Sequence, residues 1–304
     1  MTMAATAVDY NRLAATYDHR YAENRYPGLE HTLLEFVGND PTVTLLEVGC
    51  GTGHWLELLS RSGFRVAGVD ASPEMLAVAR QRLPDARLVS GRAEQLPWPD
   101  TSLRRVFCIN ALHHFTDRRA FLAEARRLLQ PGGAFMTIGL DTSSDLDRWW
   151  LYDYFAGTRE ADLARYTSVH QIQRWLEEAG FSNGTTIEAE RMTIRVPARE
   201  ALESGRLAKE STSQLVLLTD EEYQRGIELI RAGIHATEAR GKQLELTAEL
   251  HLFATIGWVH GCWSSNKGQK QWHLKNYPRS LKHASSLPVG SNRSQESLIP
   301  GKSL

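Results

Sequence analysis

The segment from Leu45 to Gly53 constrains the fold of this chain more than any other. It opens with an apolar run interrupted by one acidic residue, Glu47, as expected for a buried parallel strand. Three glycines follow in G-x-G-x-G spacing, and a helix-like pattern begins at His54. Glycine permits a tight turn and the close approach of a ligand to bare backbone, and a helix N-terminus presents unpaired N–H groups. The segment therefore predicts a ligand site where a buried strand turns into a helix.

Strand and helix patterns alternate from Val43 to Leu140 and predict a doubly wound, parallel α/β sheet. The predicted strands are Val43–Val48, Arg65–Asp70, Arg87–Ser90, Leu103–Asn110 and Ala134–Leu140. The predicted helices are His54–Arg61, with Gly63 just beyond its end, Pro73–Arg82, capped by Ser72, and Arg118–Gln130, capped by Asp117. Ligands of such sheets bind at the carboxyl ends of the strands.

After Leu140 the pattern changes, and the remaining elements are predicted to surround this core. They are an aromatic cluster at 149–155, a helix from Ser168 to Ala179, a strand at 185–196, a helix from Thr219 to about Arg240, and a last strand at 246–258. An aromatic cluster of this kind is more typical of a core than of a ligand cage. Residues 197–242 are predicted to form a helical insertion between the last two strands.

Composition and charge limit the possible domain organisation and the kinds of partner that the chain can have. The chain has 304 residues, of which 42% are hydrophobic, and a formal net charge of −1. The stretch 264–304 holds seven basic residues and one acidic residue, which leaves 28 basic and 35 acidic residues in 1–263. An acidic body argues against a nucleic acid or a membrane surface as the main partner. We predict one domain over 1–263, with a motif core at 43–140, an acceptor-cover region at 141–184 and the insertion, and a disordered basic tail at 264–304.

Cysteine spacing and hydropathy indicate a cytoplasmic protein. Cys50, Cys108 and Cys262 show no C-x-x-C spacing, which predicts neither disulfides nor a metal site. The chain has no run of 18 apolar residues and no secretion signal at its start, so no membrane span is expected. The oligomeric state is left open.

The glycine loop, Glu47 and an acidic residue at the end of the next strand, Asp70, together resemble the S-adenosylmethionine (SAM) site of class I methyltransferases. Later segments are similar, in order, to those of the methyltransferase type 11 (UbiE/COQ5-like) group. They are Gly91–Trp98, which resembles G-D-A-E-x-L-P-F, Phe107–Phe115, which resembles the fourth motif, and Leu128–Ala134, which resembles the turn into the fifth strand. The resemblance spans about Val8 to Trp258. It implies a Rossmann-like sheet of seven strands with the last strand antiparallel, SAM as cofactor and S-adenosylhomocysteine as product.

The resemblance also implies roles for individual residues. The backbone of Gly49, Cys50, Gly51 and Gly53 would approach the methionine end of SAM, and Glu47 would favour its cationic groups. Asp70 would accept both ribose hydroxyls, as acidic residues do in dinucleotide sites. Further residues predicted to border the cofactor are Tyr17 in a lid helix, Ala71, Met75, Ala93, Asn110 and Leu112. Arg92 stands where the family has an acidic residue, so the adenine contact falls to the Ala93 amide, to Glu94, or to stacking by Arg92.

Catalysis and the acceptor are less constrained. His113 and His114 are candidate general bases because imidazole titrates near neutrality, although methyl transfer to a good nucleophile depends mainly on proximity and alignment. The sequence lacks Asn-Pro-Pro-Tyr, and Asn110 is not an aspartate, which disfavours amide N-methylation and the magnesium-dependent catechol type. We expect methyl transfer to a small molecule, aromatic or apolar in character, at O, N or C. The alternatives are a SAM-binding protein without catalysis and an NAD-dependent Rossmann enzyme, which the glycine spacing disfavours.

Overall fold

The computed structural model describes residues 24–260 together with Asn11, Ala14, Tyr17, Asp18 and Tyr21. The predictions for Cys262 and for the tail at 264–304 fall outside these residues.

One sheet organises the described residues. Its strands are β1 (Thr44–Val48), β2 (Arg65–Asp70), β3 (Arg87–Ser90), β4 (Leu103–Ile109), β5 (Leu129–Leu140), β6 (Arg148–Trp149), β7 (Ser182–Pro197) and β8 (Glu245–Trp258). The order is β3-β2-β1-β4-β5-β8-β6. Strand β7 pairs with β8 along the edge opposite to β5. The first five strands are parallel, and β8 runs antiparallel to β5 and β7. The predicted α/β sheet with an antiparallel last strand is confirmed, and the two-residue β6 adds to the seven expected strands.

Helices are present at each position where the sequence patterns predict one, and three further helices, at Pro27–Val37, Trp150–Tyr154 and Thr158–Arg165, were not predicted. They are α1 (Pro27–Val37), α2 (His54–Arg61), α3 (Pro73–Arg82), α4 (Arg118–Leu128), α5 (Trp150–Tyr154), α6 (Thr158–Arg165), α7 (Val169–Glu178), α8 (Ala198–Glu203), α9 (Ser213–Val216) and α10 (Asp220–Glu238). The side chains of Ser72, Asp117 and Ser168 accept backbone N–H bonds as N-caps, and Thr219 forms a complete capping box with Glu222. Among the described residues, none of these helices combines the length and apolar character needed to cross a bilayer.

Alternation along the central strands divides the core into two layers. Leu45 and Leu46 are both fully buried but belong to different apolar clusters, because neighbouring side chains of a strand point to opposite faces of the sheet. Parallel strands covered by helices on both faces are expected to be mostly apolar, as β4 is from Val106 to Ile109. Burial on both faces leaves the strand ends as the positions where polar chemistry is accessible.

The boundary between α4 and β5 differs from the prediction. The sequence predicts a helix to Gln130 and a strand from Ala134, whereas α4 ends at Leu128 and β5 begins at Leu129. Pairing between chain segments accounts for the difference: Leu129 pairs with Leu103, and the Gly132 amide donates to the carbonyl of Val259 at 3.0 Å. Tertiary pairing therefore extends the strand through a segment with turn-like local preference.

The helical insertion and α5 form a third apolar cluster, which packs against the C-terminal end of β7 and the N-terminal end of β8. Fully buried members of this cluster include Leu151, Phe155, Leu215 and Ile230. The predicted insertion between the last two strands is confirmed as α8 to α10. The aromatic cluster at 149–155 packs mainly into this core, which agrees with the core interpretation of that motif.

Candidate functional site

Three of the predicted cofactor residues, Glu47, Asp70 and Asn110, lie at or next to the carboxyl ends of β1, β2 and β4. The amides of Gly49 and Cys50 both donate to the carbonyl of Val69, at 2.7 and 3.1 Å, which joins the glycine loop to the end of β2. The strand order reverses between β1 and β4, and an open α/β sheet binds ligands in the crevice at such a point.

The glycine loop adopts a backbone conformation that favours glycine. Gly49, Gly51 and Gly53 have φ values of 76°, 51° and 78°, in the left-handed region that side chains disfavour. A Cβ on Gly49 would lie only 2.5 Å from the Cβ of Ala111, while a Cβ on Gly51 would meet the ring of Tyr17 at 3.7 Å. The positive φ values therefore favour glycine at all three positions, and at Gly49 the close approach of Ala111 adds to that requirement.

Asp70 holds the glycine loop in place. Its Oδ2 accepts the Gly51 amide at 2.7 Å and its Oδ1 accepts the Ser72 amide at 2.9 Å. Burial raises the pKa of this carboxyl, and the two backbone hydrogen bonds partly offset that effect. Each carboxylate oxygen has two lone pairs, so the oriented carboxylate retains acceptor capacity for ligand hydroxyls.

Glu47 is a buried carboxylate that lacks a full set of partners. Its residue is 1% exposed, and its Oε2 has no hydrogen-bond partner among the described residues. Burial, with the nearby charge of Asp70, raises the pKa of Glu47 well above its usual range. An unsatisfied buried carboxylate is costly and is suited to a bound cation or N–H donor. The amino and sulfonium groups of SAM are such partners, so the residues present fit that cofactor.

Replacing Glu47 with Gln is expected to raise the melting temperature of the ligand-free protein at neutral pH. Because the folded pKa lies above the unfolded value of about 4.5, the folded state retains a proton that the unfolded state loses. The free energy of unfolding therefore falls as pH rises from about 4.5 through the folded pKa. Urea unfolding between pH 5 and 8 should show a smaller decline for Glu47→Gln than for wild type, and parallel declines would contradict this assignment.

Described residues near the N-terminus cover one side of the glycine loop. Asp18 accepts hydrogen bonds from Thr52 and Arg82, and Ser72 donates to Asn11 at 2.6 Å. Ala14 packs on the buried Met75, with Tyr17 and Val216 of α9 beside them. Tyr17 and Met75, both predicted from sequence, therefore lie next to the loop, and the insertion reaches the same cover.

The segment carrying the predicted adenine contacts is fixed by its own side chains. Arg92 is exposed, contacts Glu94 at 3.3 Å and donates to the Thr116 hydroxyl at 3.0 Å. Glu94 also accepts the Asp117 amide at 3.0 Å, at the start of α4, while Ala93 is buried. Of the three alternatives for the adenine contact, the Ala93 amide is the one that requires no rearrangement of these bonds. Ala71, another predicted cofactor residue, is exposed beside Asp70.

The segment after β4 places both candidate bases near the crevice. Asn110 has φ 51° and its amide donates to the Ile138 carbonyl at 2.8 Å, and buried Leu112 follows. His113 and His114 are half-buried with ring centroids 3.8 Å apart, and Tyr166 stacks on His113 at 4.1 Å. A cavity of about 20 Å³ beside them, lined also by Thr137 and Thr255, has room for about one water molecule.

Several residues near the site were missed from sequence. They are Asp18, Arg82, Arg118, Arg165 and Tyr166. Each has at least one partner that is distant in sequence, and no local spacing indicates that partner. A groove of about 730 Å³ lies instead at the amino ends of the strands, between the starts of β1, β2, β3 and β4, away from the glycine loop.

Sequence comparison with known proteins finds similarity to methyltransferases. Residues 46–137 match a family model described as a methyltransferase domain. A malonyl-[acyl-carrier protein] O-methyltransferase of Serratia marcescens is 34% identical over 48% of this chain and 57% of that protein. An uncharacterized methyltransferase of Synechocystis sp. is 32% identical over 49% of this chain and 71% of that protein. A demethylmenaquinone methyltransferase of Tropheryma whipplei is 31% identical over 41% and 54%.

Solved structures share the fold. A putative methyltransferase from an antibiotic biosynthesis pathway of Anabaena variabilis matches with a TM-score of 0.58 at 22% identity, covering 76% of this chain and 97% of that one. A phosphoethanolamine N-methyltransferase of Haemonchus contortus, solved with SAM, matches with a TM-score of 0.52 at 14% identity, covering 84% and 60%.

The sheet order and the glycine loop at the switch point define a class I, Rossmann-like methyltransferase fold. The chain belongs to the SAM-dependent methyltransferases that carry the matched methyltransferase domain. It spans a little over half the length of the Serratia and Tropheryma relatives.

Proposed function

We propose that this protein transfers a methyl group from SAM to a small-molecule acceptor at the carboxyl ends of β1, β2 and β4. The observation that carries the proposal is the buried carboxylate of Glu47, which has an unsatisfied oxygen at the end of the strand leading into a loop of positive-φ glycines. An NAD-dependent enzyme would have no cationic methionine group to place near this carboxylate.

The proposal assigns a task to each part of the site. Glu47 and the loop backbone hold the methionine end of SAM, and Asp70 accepts the ribose hydroxyls. The apolar side chains of Ala93 and Leu112 border the adenine ring. SAM, when bound, supplies a methyl group on a positively charged sulfur. Tyr17 covers the loop and excludes water from it. His113 faces the acceptor side, where its imidazole accepts a proton from an acceptor that is still protonated.

The acceptor is proposed to be a small molecule with aromatic or apolar character. The stacked rings of His113 and Tyr166 supply a flat wall that suits it. Two relatives are named for different acceptors, malonyl-[acyl-carrier protein] and demethylmenaquinone, so the methylated atom is left open. The acidic composition of 1–263 supports an acceptor other than a nucleic acid. The free thiols of Cys50 and Cys108 are consistent with a cytoplasmic location.

Label transfer tests the proposed activity. The protein is incubated with SAM labelled in its methyl group and with fractionated small molecules from a cell extract, and labelled products are identified by mass spectrometry. The expected result is S-adenosylhomocysteine formation together with a labelled small molecule, both strongly reduced with Asp70→Ala at SAM concentrations near the wild-type dissociation constant. SAM binding without label transfer to any fraction would favour the alternative of a binding protein without catalysis.

A further inference from the structure

The groove of about 730 Å³ at the amino ends of the strands has no part in the proposed methyl transfer. Arg65, which lines it, and Asp70, which holds the glycine loop, are the first and last residues of β2. The rise of a strand separates these two positions by about 17 Å. The volume of the groove is typical of clefts that bind small organic molecules. A ligand can therefore occupy the groove independently of the cofactor site.

Much of the lining of the groove is apolar. The apolar residues that line it include Phe64, Val66, Ala67, Leu83, Trp98 and Leu103. Ligand sites commonly combine such a lining with a small number of polar groups that fix the orientation of the ligand. The lining therefore favours a molecule with an apolar body over a bare inorganic ion.

Two arginines supply the polar part of the groove. Arg65 begins β2 and Arg87 begins β3, and both are exposed and line the groove. Arg87 pairs with Ala67, two residues after Arg65, so the two arginine side chains lie on the same face of the sheet. Strand spacing and rise place their Cα atoms about 8 Å apart. Two long side chains at this separation can contact one anion.

The guanidinium of Arg87 is held in place before any ligand binds. Its central carbon lies 4.4 Å from the centre of the Trp98 ring, and its Nη2 donates to the Pro97 carbonyl at 2.9 Å. Its Nε and Nη1 have no partner among the described residues. A donor that is already fixed loses less conformational entropy when it binds a ligand. Arg87 is therefore suited to anchor an anion.

The charges that line the groove leave two cations without a matching anion. The side chain of Arg65 has no hydrogen bond or ion pair among the described residues. Arg82 also lines the groove, but its guanidinium already contacts the carboxylates of Asp18 and Glu57. Asp85 is the acidic residue among the described residues that line the groove, and it offsets part of the positive charge. The remaining excess is positive, whereas residues 1–263 as a whole are acidic.

We propose that this groove is a second binding site, which takes a small-molecule phosphate monoester with an apolar body. Arg65 and Arg87 donate to different oxygens of the phosphate, and the apolar lining contacts the rest of the molecule. A phosphate monoester carries a charge of about −1.5 to −2 at neutral pH and so matches both guanidiniums, whereas a carboxylate matches one. The groove contains none of the residues assigned to SAM or to the acceptor, so this proposal stands independently of the proposed function.

Matched probes test the proposal on the full chain by ligand-observed NMR titration. The probes 1-naphthyl phosphate, 1-naphthoate and 1-naphthol share an apolar ring system and differ in its polar group, while inorganic phosphate lacks the ring system. The naphthyl phosphate should bind at least about tenfold more tightly than each of the others, because each of them lacks one charge-assisted contact, both, or the apolar body. Saturating S-adenosylhomocysteine should leave this affinity unchanged.

Variants of exposed residues locate the binding in the groove. Arg65→Met and Arg87→Met should each weaken the binding of 1-naphthyl phosphate about tenfold. Asp85→Asn removes the opposing charge and should strengthen it about twofold to fivefold. Arg195→Met serves as the control, because Arg195 is an exposed arginine of β7, at the opposite end of the strand order from β3. It should leave the affinity unchanged.

Four results would overturn the proposal. They are no saturable binding of 1-naphthyl phosphate by wild type, equally tight binding of 1-naphthoate, displacement of the naphthyl phosphate by S-adenosylhomocysteine, and an unchanged affinity in both Arg65→Met and Arg87→Met. Displacement would place the probe in the cofactor site. Failure of wild type to bind S-adenosylhomocysteine would refute the proposed function and leave the test of the groove intact.

Discussion

Replacing Asp70 with Ala is expected to weaken S-adenosylhomocysteine binding about tenfold to hundredfold. The substitution removes the proposed acceptor for two ribose hydroxyls and also releases the amides of Gly51 and Ser72, which Asp70 holds at 2.7 and 2.9 Å. Both effects act on the same loop, so the loss should exceed that of one charge-assisted hydrogen bond. Isothermal titration calorimetry measures the change.

Two further variants separate these contributions. Asp70→Asn keeps the shape but can accept from fewer donors, and we expect an intermediate loss. Asp85→Ala removes an exposed carboxylate just after the C-terminal end of α3 and should leave S-adenosylhomocysteine binding unchanged. An Asp70→Ala protein that unfolds like wild type and binds S-adenosylhomocysteine with wild-type affinity would show that the ribose lies elsewhere.

Replacing Gly49 with Ala should produce the largest loss of stability among single substitutions in the loop. At φ 76° a side chain is strained by about 1–2 kcal/mol, and the new Cβ would lie 2.5 Å from the Cβ of Ala111. Relief of that contact must move the segment after β4, which adds about 1–3 kcal/mol and displaces the neighbouring site. Urea unfolding should show the loss of stability, and calorimetry should show lost cofactor affinity.

Gly132→Ala is the matched control for this variant. Gly132 has φ 78°, but nothing lies within 4 Å of the position that its Cβ would occupy. The two variants therefore share the backbone strain and differ in the contact with Ala111. Equal destabilisation by both would contradict the view that close packing, in addition to φ, requires glycine at position 49.

Features encoded within a few residues were predicted well from the sequence. The caps at Ser72, Asp117 and Thr219 are local hydrogen bonds, and the observed helices start after them. The bounds of β2 and β3 match the prediction because apolar runs between turn residues determine them. The start of β5 was missed, since pairing with β4 overrides the local preference of the Pro131–Gly133 segment.

The candidate site was predicted in part for the same reason. The strand ends that carry Glu47, Asp70 and Asn110 meet because parallel strands place their carboxyl ends at one edge, which the sequence pattern indicates. A hydrogen-bonded cluster of Asp162, Arg165 and Gln214 joins residues 52 positions apart, and Arg118 reaches 47 positions to Arg165. No local pattern encodes such pairs, so they emerge only when the chain is folded.

The binding of nucleoside ligands tests the central claim most directly. Calorimetric titration of the full chain with SAM, S-adenosylhomocysteine and NAD compares the cationic methionine end with a dinucleotide in one protein. The account predicts one site per chain for SAM and S-adenosylhomocysteine, with dissociation constants of about 1–100 μM, and no measurable heat with NAD. Saturable binding of NAD together with no binding of SAM would contradict it.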